Sequence, residues 1–371
     1  MNDKLVTLAI HKSAKAHILK RVLEDRGIEV YLEDVDKTPS PDQESSGIYV
    51  RIKQSDLADA LYIIEGDKLF NYSDQQISLI DDGRKRILVA VDFSDYSLKA
   101  CEVAFKIAKN MDAKVKILNV FNQIRYPLSF PFADTLREDQ NDDLLNKARR
   151  QMLDLCNLID QKIAGKELPS INYSYSIREG ITEEEIGAFV EEYKPMLLVI
   201  GTKGKGNNKT GSIGNVASDV IEMVNVPVLA IPGNFDIADD RTYHIAYLTN
   251  FLKTDLESFN VFVNIVKPYE KTKVTLVHVN LINKKGDKWT EIELLGMKEY
   301  FANQYPDLNV DYKLIDTIDL MDGISDFIAK SDAQIVALNS KKRNIFSRIF
   351  LPSISRKIIL KSDVALLVLR Q

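Results

Sequence analysis

Apolar residues in this chain fall into short consecutive runs, separated by segments whose apolar positions recur at helical spacing. The first 65 residues give strand, helix, strand, strand, helix. Residues 4–10 read as a strand, and Ser13 to Glu24 place Ala16, Leu19, Val22 and Leu23 on one face, with Ser13 as cap and Gly27 as stop. Ile28 to Glu33 and Ile48 to Ile52 are strands around a polar loop with Pro39 and Pro41. A helix from Ser55 turns Leu57, Ala60, Leu61 and Ile64 inward. After a polar stretch over 66–84, Arg86 to Asp92 is apolar on consecutive positions, as a strand buried on both faces requires. A helix to Lys109, a strand from Val115 to Phe121 and a helix from Asp142 to Gln161 follow. Then come a strand from Tyr173 to Arg178 and a helix from Thr182, its cap, to Tyr193. Strands at Met196–Ile200 and Val226–Ile231 enclose a glycine-rich loop and a helix from Val216 to Met223. Strands alternating with helices predict a doubly wound parallel sheet, with ligands beyond the carboxyl ends of its strands.

The pattern restarts after a polar run at 236–241. Ile245 to Asn250 mirrors residues 87–92, Leu256 to Val266 mirrors the next helix, and Val274 to Val279 mirrors Val115 to Val120. Met321 to Lys330 mirrors the Thr182 helix, Ile335 to Leu338 mirrors Leu197 to Ile200, and Val364 to Leu369 mirrors the last strand. A repeat of about 150 residues is too long for a solenoid unit and reads as a tandem domain. The expected architecture is therefore two doubly wound α/β domains, 84–234 and 241–371, preceded by a small α+β domain over 1–80.

Composition narrows the partners. The net charge of −5 argues against a dedicated nucleic-acid binder. No apolar run is long enough to span a bilayer, and Met1 to Lys4 lacks the start of a signal peptide. Cys101 and Cys156 lie in helix-like stretches beside apolar residues, which fits a reduced, cytoplasmic protein. His11, His17, His244 and His278 are scattered without zinc spacing; His11 and His17 read as surface or helix-start residues and His278 as structural.

The candidate chemistry sits in Gly201-x2-Gly204-x9-Gly214, placed between a strand and a helix. Unpaired N–H groups at a helix N-terminus favour an anion, and glycines let the backbone approach it. Gly201, Gly204, Gly214, Asn215 and Val216 would offer backbone groups to phosphates. Lys205 and Lys203 could neutralise charge, with Thr202 and Ser212 as secondary candidates. Asp92, at a strand end, can accept from a ribose or a base, or can cap the next helix. Val120 and Ile200 would flank a base or simply fill the core. The loop lacks the Gly-Lys-Ser/Thr ending of a P-loop, and no Ser/His/Asp constellation or magnesium-holding carboxylate pair accompanies it. Binding is better supported than turnover, with slow hydrolysis or self-phosphorylation left open.

Residues 84–232 resemble the universal stress protein family through Val89-Ala90-Val91-Asp92-Phe93-Ser94, Leu118-Asn119-Val120, Glu179-Gly180 and the glycine spacing. The resemblance implies a stress-response regulator that binds ATP or AMP, magnesium arriving with ATP. Asn215 stands where the family's nucleotide-binding branch has Ser or Thr, and Asn119 where histidine is usual. Residues 1–80 resemble a short signal-transducing family with a ferredoxin-like fold, through the first strand, Ala16 to Ile28 and Gly47 to Val50. In the second repeat the glycine positions become Asn339, Lys342 and Pro352, and Asp92 becomes Asn250. That copy is expected to lack the site and to carry a basic loop instead, with Lys341, Arg343, Arg348, Arg356 and Lys357. The family's mode of dimerisation implies that Val226–Ile231 meets Val364–Leu369 in an intramolecular pseudo-dimer, with a homodimer as a further association. The competing reading is a ligand-free scaffold that recruits an unknown protein partner.

Overall fold

The computed structural model of the protein describes residues 4–11, 13–34, 47–66, 85–122, 133–202, 215–235, 243–266, 272–283, 288–340 and 364–370. The chain divides into two compact units. The first holds residues 1–94 and 101–196; the second holds 95–100 and 197–371. The division falls inside the 84–234 segment, between Met196 and Leu197.

The first unit opens with β1 (Leu5–His11), α1 (Ser13–Glu24), β2 (Val30–Asp34), β3 (Ile48–Lys53) and α2 (Leu57–Gly66). The strands form an antiparallel sheet in the order β1-β3-β2. Ala16, Leu19 and Leu23 are buried as α1 lies on this sheet. Next come β4 (Lys85–Val91), α3 (Asp95–Met111), β5 (Ala113–Phe121), α4 (Ala133–Ala164), β6 (Tyr173–Glu179) and α5 (Thr182–Tyr193). Strands β4, β5 and β6 run parallel in that order. Residues Ile87 to Val91 are all buried, as their unbroken apolar run predicts. On α3, Ala100, Val103, Ala104, Ile107 and Ala108 form the buried stripe.

Three local expectations change. Helix α4 begins at Ala133, because its first turns are rich in charged helix formers that carry no apolar period. Thr182 is the first helical residue rather than the cap; Ile181 holds that place without a side-chain bond, and Glu183, Glu184 and Glu185 offset the helix dipole. His11 is buried, not a surface residue. The cause is that β1 is covered on both faces: Val6 to His11 are all buried, and α4 and β6 lie against β1.

That contact is polar at its centre. Thr7 Oγ1 donates to Asp160 Oδ2 at 2.5 Å, and Tyr173 Oη donates to Asp160 Oδ1 at 3.4 Å. A Cβ on Gly47 would stand 2.7 Å from Ile10 Cγ2 and 2.9 Å from Asn172 Oδ1, so the small sheet sits tightly on the start of β6. Burial holds the Asp160 carboxyl above its usual range, against the lowering by Thr7, Arg51 and Tyr173. A raised folded pKa gives stability that is complete below the unfolded value and lost as pH rises through the folded one. Asp160→Asn keeps an acceptor for Thr7 and removes the charge. Its urea midpoint should exceed that of the wild type at pH 7 and become level with it below the unfolded value of 3.8. A lower midpoint at pH 7 would contradict this account. Cys101 and Cys156 are buried free thiols, and burial pushes both above the usual thiol range.

The second unit contains β7 (Leu197–Gly201), α6 (Asn215–Met223), β8 (Val228–Ile231), β9 (Tyr243–Leu248), α7 (Lys253–Val266) and β10 (Thr272–Leu281). It continues with α8 (Glu291–Gln304), β11 (Asn309–Thr317), α9 (Leu320–Lys330), β12 (Ile335–Asn339) and β13 (Ala365–Leu369). Its strands follow the order β11-β10-β9-β12-β13-β8-β7. Neighbours are parallel except β13 and β8, which pair antiparallel through Leu366–Ala230, Leu367–Leu229 and Val368–Val228. Strands β8 and β13 thus meet, with Leu229 and Leu367 facing each other at the centre.

Candidate functional site

In the first unit, Asp92 follows β4 and is exposed, while its neighbours settle the start of α3. Its Oδ1 accepts from Ser94 N at 3.0 Å and from Ser94 Oγ at 2.6 Å. These bonds form a tight turn just before α3 rather than a helix cap, and they occupy one carboxyl oxygen that a ligand would otherwise use. Phe93, between them, has φ 60°, costly for a bulky residue and concentrated at sites that over-determine the backbone. Asn119 pairs with Val91 across β4 and β5, so Asp92 and Val120 lie at the same carboxyl ends. Val120 is half-buried. Asn119 is 4% exposed, and its Nδ2 donates to the Val91 carbonyl at 2.7 Å.

In the second unit, Ile200 is buried and Gly201 closes β7. Thr202 N continues the pairing to Ile231 O at 3.0 Å. Lys203, Gly204, Lys205, Ser212 and Gly214 lie outside the described residues. Asn215 begins α6, with Val216 half-buried behind it. Gly201 has a reason to be glycine that needs no ligand. A Cβ there would stand 2.9 Å from Tyr96 C and 3.0 Å from Ser97 N and Tyr96 O, all backbone atoms of the first turn of α3. The first glycine of the spacing therefore serves close approach of helix and strand, one of the recognised uses of glycine in nucleotide folds. Gly201→Ala should cost about 1–3 kcal/mol of stability through this overpacking. Equilibrium urea unfolding checks it, and an unchanged midpoint would show that the helix start yields freely.

Comparison with known proteins bears on the same segment. A family model described as the universal stress protein family covers residues 83–232. Residues 83–232 match the universal stress protein family. A universal stress protein of Methanocaldococcus jannaschii is 28% identical over 162 residues, 42% of this chain and 87% of that one. One from Bacillus subtilis is 26% identical over 147 residues, 39% of this chain and 97% of that one. The crystal structure of a universal stress protein from Archaeoglobus fulgidus superposes with a TM-score of 0.55 at 17% identity. It covers 77% of this chain and 98% of that chain, a likeness of fold.

Beyond the matched universal stress protein segment, β9 to β13 carry the residues that the sequence pattern sets opposite those of the first segment. Phe251 has φ 56°, as Phe93 has 60°. His278 is buried, and its Nδ1 meets Thr249 O at 2.9 Å; a carbonyl only accepts, so Nδ1 carries the proton. That is the structural role expected of it. Asn339, at the position of Gly201, donates from Nδ2 to Asp255 Oδ1 at 3.2 Å. Asp255 Oδ2 also accepts from Asn250 N at 2.9 Å and Thr249 Oγ1 at 3.2 Å. Side chains bonded to one another fill the place where Gly201 has none. Lys342, Pro352 and the basic residues Lys341, Arg343, Arg348, Arg356 and Lys357 lie outside the described residues. Asp255 and Trp289, which lies 4.5 Å from the Phe251 ring, are residues that the sequence pattern alone does not single out. Among the described residues no group of three His, Cys, Asp or Glu could hold a metal ion, and no helix is long and apolar enough to cross a membrane.

Proposed function

We propose that residues 84–234 bind an adenine nucleotide, ATP or AMP, and that its occupancy makes the chain a cytoplasmic stress-response regulator. The observation that carries this reading is the spacing Gly201-x2-Gly204-x9-Gly214 between β7 and α6, inside the segment that matches universal stress proteins. Backbone N–H groups of this loop and of the first turn of α6 would take the phosphates. Lys205 would add charge, Asp92 and Val120 would contact ribose or base, and magnesium would enter with ATP. Residues 241–371 are read as a second α/β domain without a nucleotide site, and residues 1–80 as a signal-transducing module for a protein partner. Mass spectrometry of the purified protein after denaturation tests the proposal. Adenine nucleotide released at up to one equivalent per chain is the expected result; a nucleotide-free protein that takes up none on addition overturns it.

The second reading is a ligand-free scaffold. It is favoured by the Asn339–Asp255 bond in the second repeat and by the β8–β13 pairing, which needs no nucleotide. Under that reading partner binding would be indifferent to ATP.

A further inference from the structure

The four most exposed large apolar side chains among the described residues share one end of one sheet, within the second unit. Leu252 is 57% exposed, Ile282 52%, Ile292 82% and Ile318 71%. Leu252 follows β9, Ile282 follows β10 and Ile318 follows β11. The last two are neighbours, because Leu281 pairs with Thr317 and Ile282 N donates to Thr317 O at 2.8 Å. Ile292 lies in the first turn of α8. Trp289 joins the set: its ring is 4.5 Å from that of Phe251, next to Leu252, and 5.6 Å from that of buried His278. Buried Asn280 grips the Trp289 backbone, with Nδ2 donating to Trp289 O at 2.8 Å and Oδ1 accepting from Trp289 N at 3.1 Å. An apolar patch of this kind, fixed in place and open to water, marks an interaction surface.

The rim of the patch is acidic. Glu291, Glu293, Asp316, Asp319 and Asp322 are exposed there, while Lys253 is engaged by Glu257 at 3.7 Å. Over residues 249–257, 281–293 and 316–322, eight acids oppose four lysines. Hydrogen bonds from Thr290 hold the Glu293 carboxyl below its usual range, so it stays charged at neutral pH. This sign selects the occupant. Phosphates and anionic bilayers are repelled, and a second copy would set one acidic rim against another. We infer that this face docks a cationic amphipathic segment of another protein. Its apolar side chains would cover Trp289 and the isoleucines, and its lysines or arginines would meet the acidic rim. The inference goes beyond the nucleotide reading and needs no nucleotide.

Trp289 is the single tryptophan of the chain, so its emission reports on this face alone. The probe is a synthetic helical peptide with leucine at i, i+3, i+4 and i+7 and lysine elsewhere. A counterpart carries glutamate in place of lysine. Titrated into the full chain without nucleotide, the lysine peptide should shift the emission to the blue and bind about tenfold or more tightly than the glutamate peptide. Ile292→Ser combined with Ile318→Ser should weaken it about tenfold. Glu291→Gln combined with Asp322→Asn should weaken it too and lessen its dependence on salt. All four positions are exposed, so the variants should keep the fold, which circular dichroism checks. Equal affinity for the two peptides, an unshifted emission, or binding indifferent to the serine pair overturns the inference. So does a full-chain dimer that the serine pair dissolves in sedimentation, which would make the occupant a second copy. An emission shift with phosphatidylserine vesicles overturns it as well, in favour of a membrane surface.

Discussion

Replacing both Gly204 and Gly214 by valine is expected to remove nucleotide binding from a chain that otherwise takes one equivalent of ATP. Each valine puts a Cβ where the backbone must come close to phosphate, and branching at Cβ narrows the accessible φ and ψ. Two or three charge-assisted hydrogen bonds are lost, at about 1.5–3 kcal/mol each. Affinity should fall by roughly two orders of magnitude or more. Gly201 is a poor probe of the same idea, because its missing Cβ already serves the backbone of Tyr96 and Ser97. Residues 241–371 supply the control. Changes at Asn339 or Lys342 should leave ATP affinity alone, since Asn339 there is bonded to Asp255. Calorimetry on these variants decides the matter. Two equivalents in the wild type, or binding that survives the double glycine change, would remove the assignment to this loop.

The second large effect concerns association. A chain ending at Asn234 keeps β8 but loses β13, leaving the edge of Val228 to Ile231 open, with all four residues apolar. Open edges seek partners. The native pairing is centred on Leu229 opposite Leu367, which are mirrored positions, so a second truncated chain can offer its own Leu229 in the same antiparallel register. The result is an isologous contact with two-fold symmetry. Residues 1–234 should therefore sediment as a dimer at concentrations where this edge is filled within one molecule of the full chain. A strict monomer at high concentration would mean that β8 needs no neighbour on that side.

The parallel strands were legible because burial on both faces writes an unbroken apolar run, as in Ile87–Val91 and Leu197–Ile200. Helix α8 and strand β11 were not. On α8, Leu294 and Phe301 are buried while Ile292 is 82% exposed, so its apolar residues mark no single face. Its start was legible all the same in Thr290 and Glu293, which form a reciprocal capping box. Strand β11 has a single fully buried residue, Val310, and gives no alternation to read. The burial of His11 depends on α4 and β6, far along the chain, which local pattern cannot report. For the site, glycine spacing marks where a Cβ is forbidden but not what forbids it. At Gly201 the cause is a helix backbone.

The antiparallel seam between β8 and β13 has a consequence during synthesis. Strand β8 leaves the ribosome about 130 residues ahead of β13, an interval on the order of ten seconds at roughly 5–20 residues per second. Throughout that interval the nascent chain carries an apolar, self-complementary edge. Neighbouring ribosomes on one message would hold such edges close together. The late arrival of β13 therefore makes translation the stage at which wrong pairing between chains competes with pairing within one, and slowing elongation beyond residue 234 should raise the yield of the misassembled form.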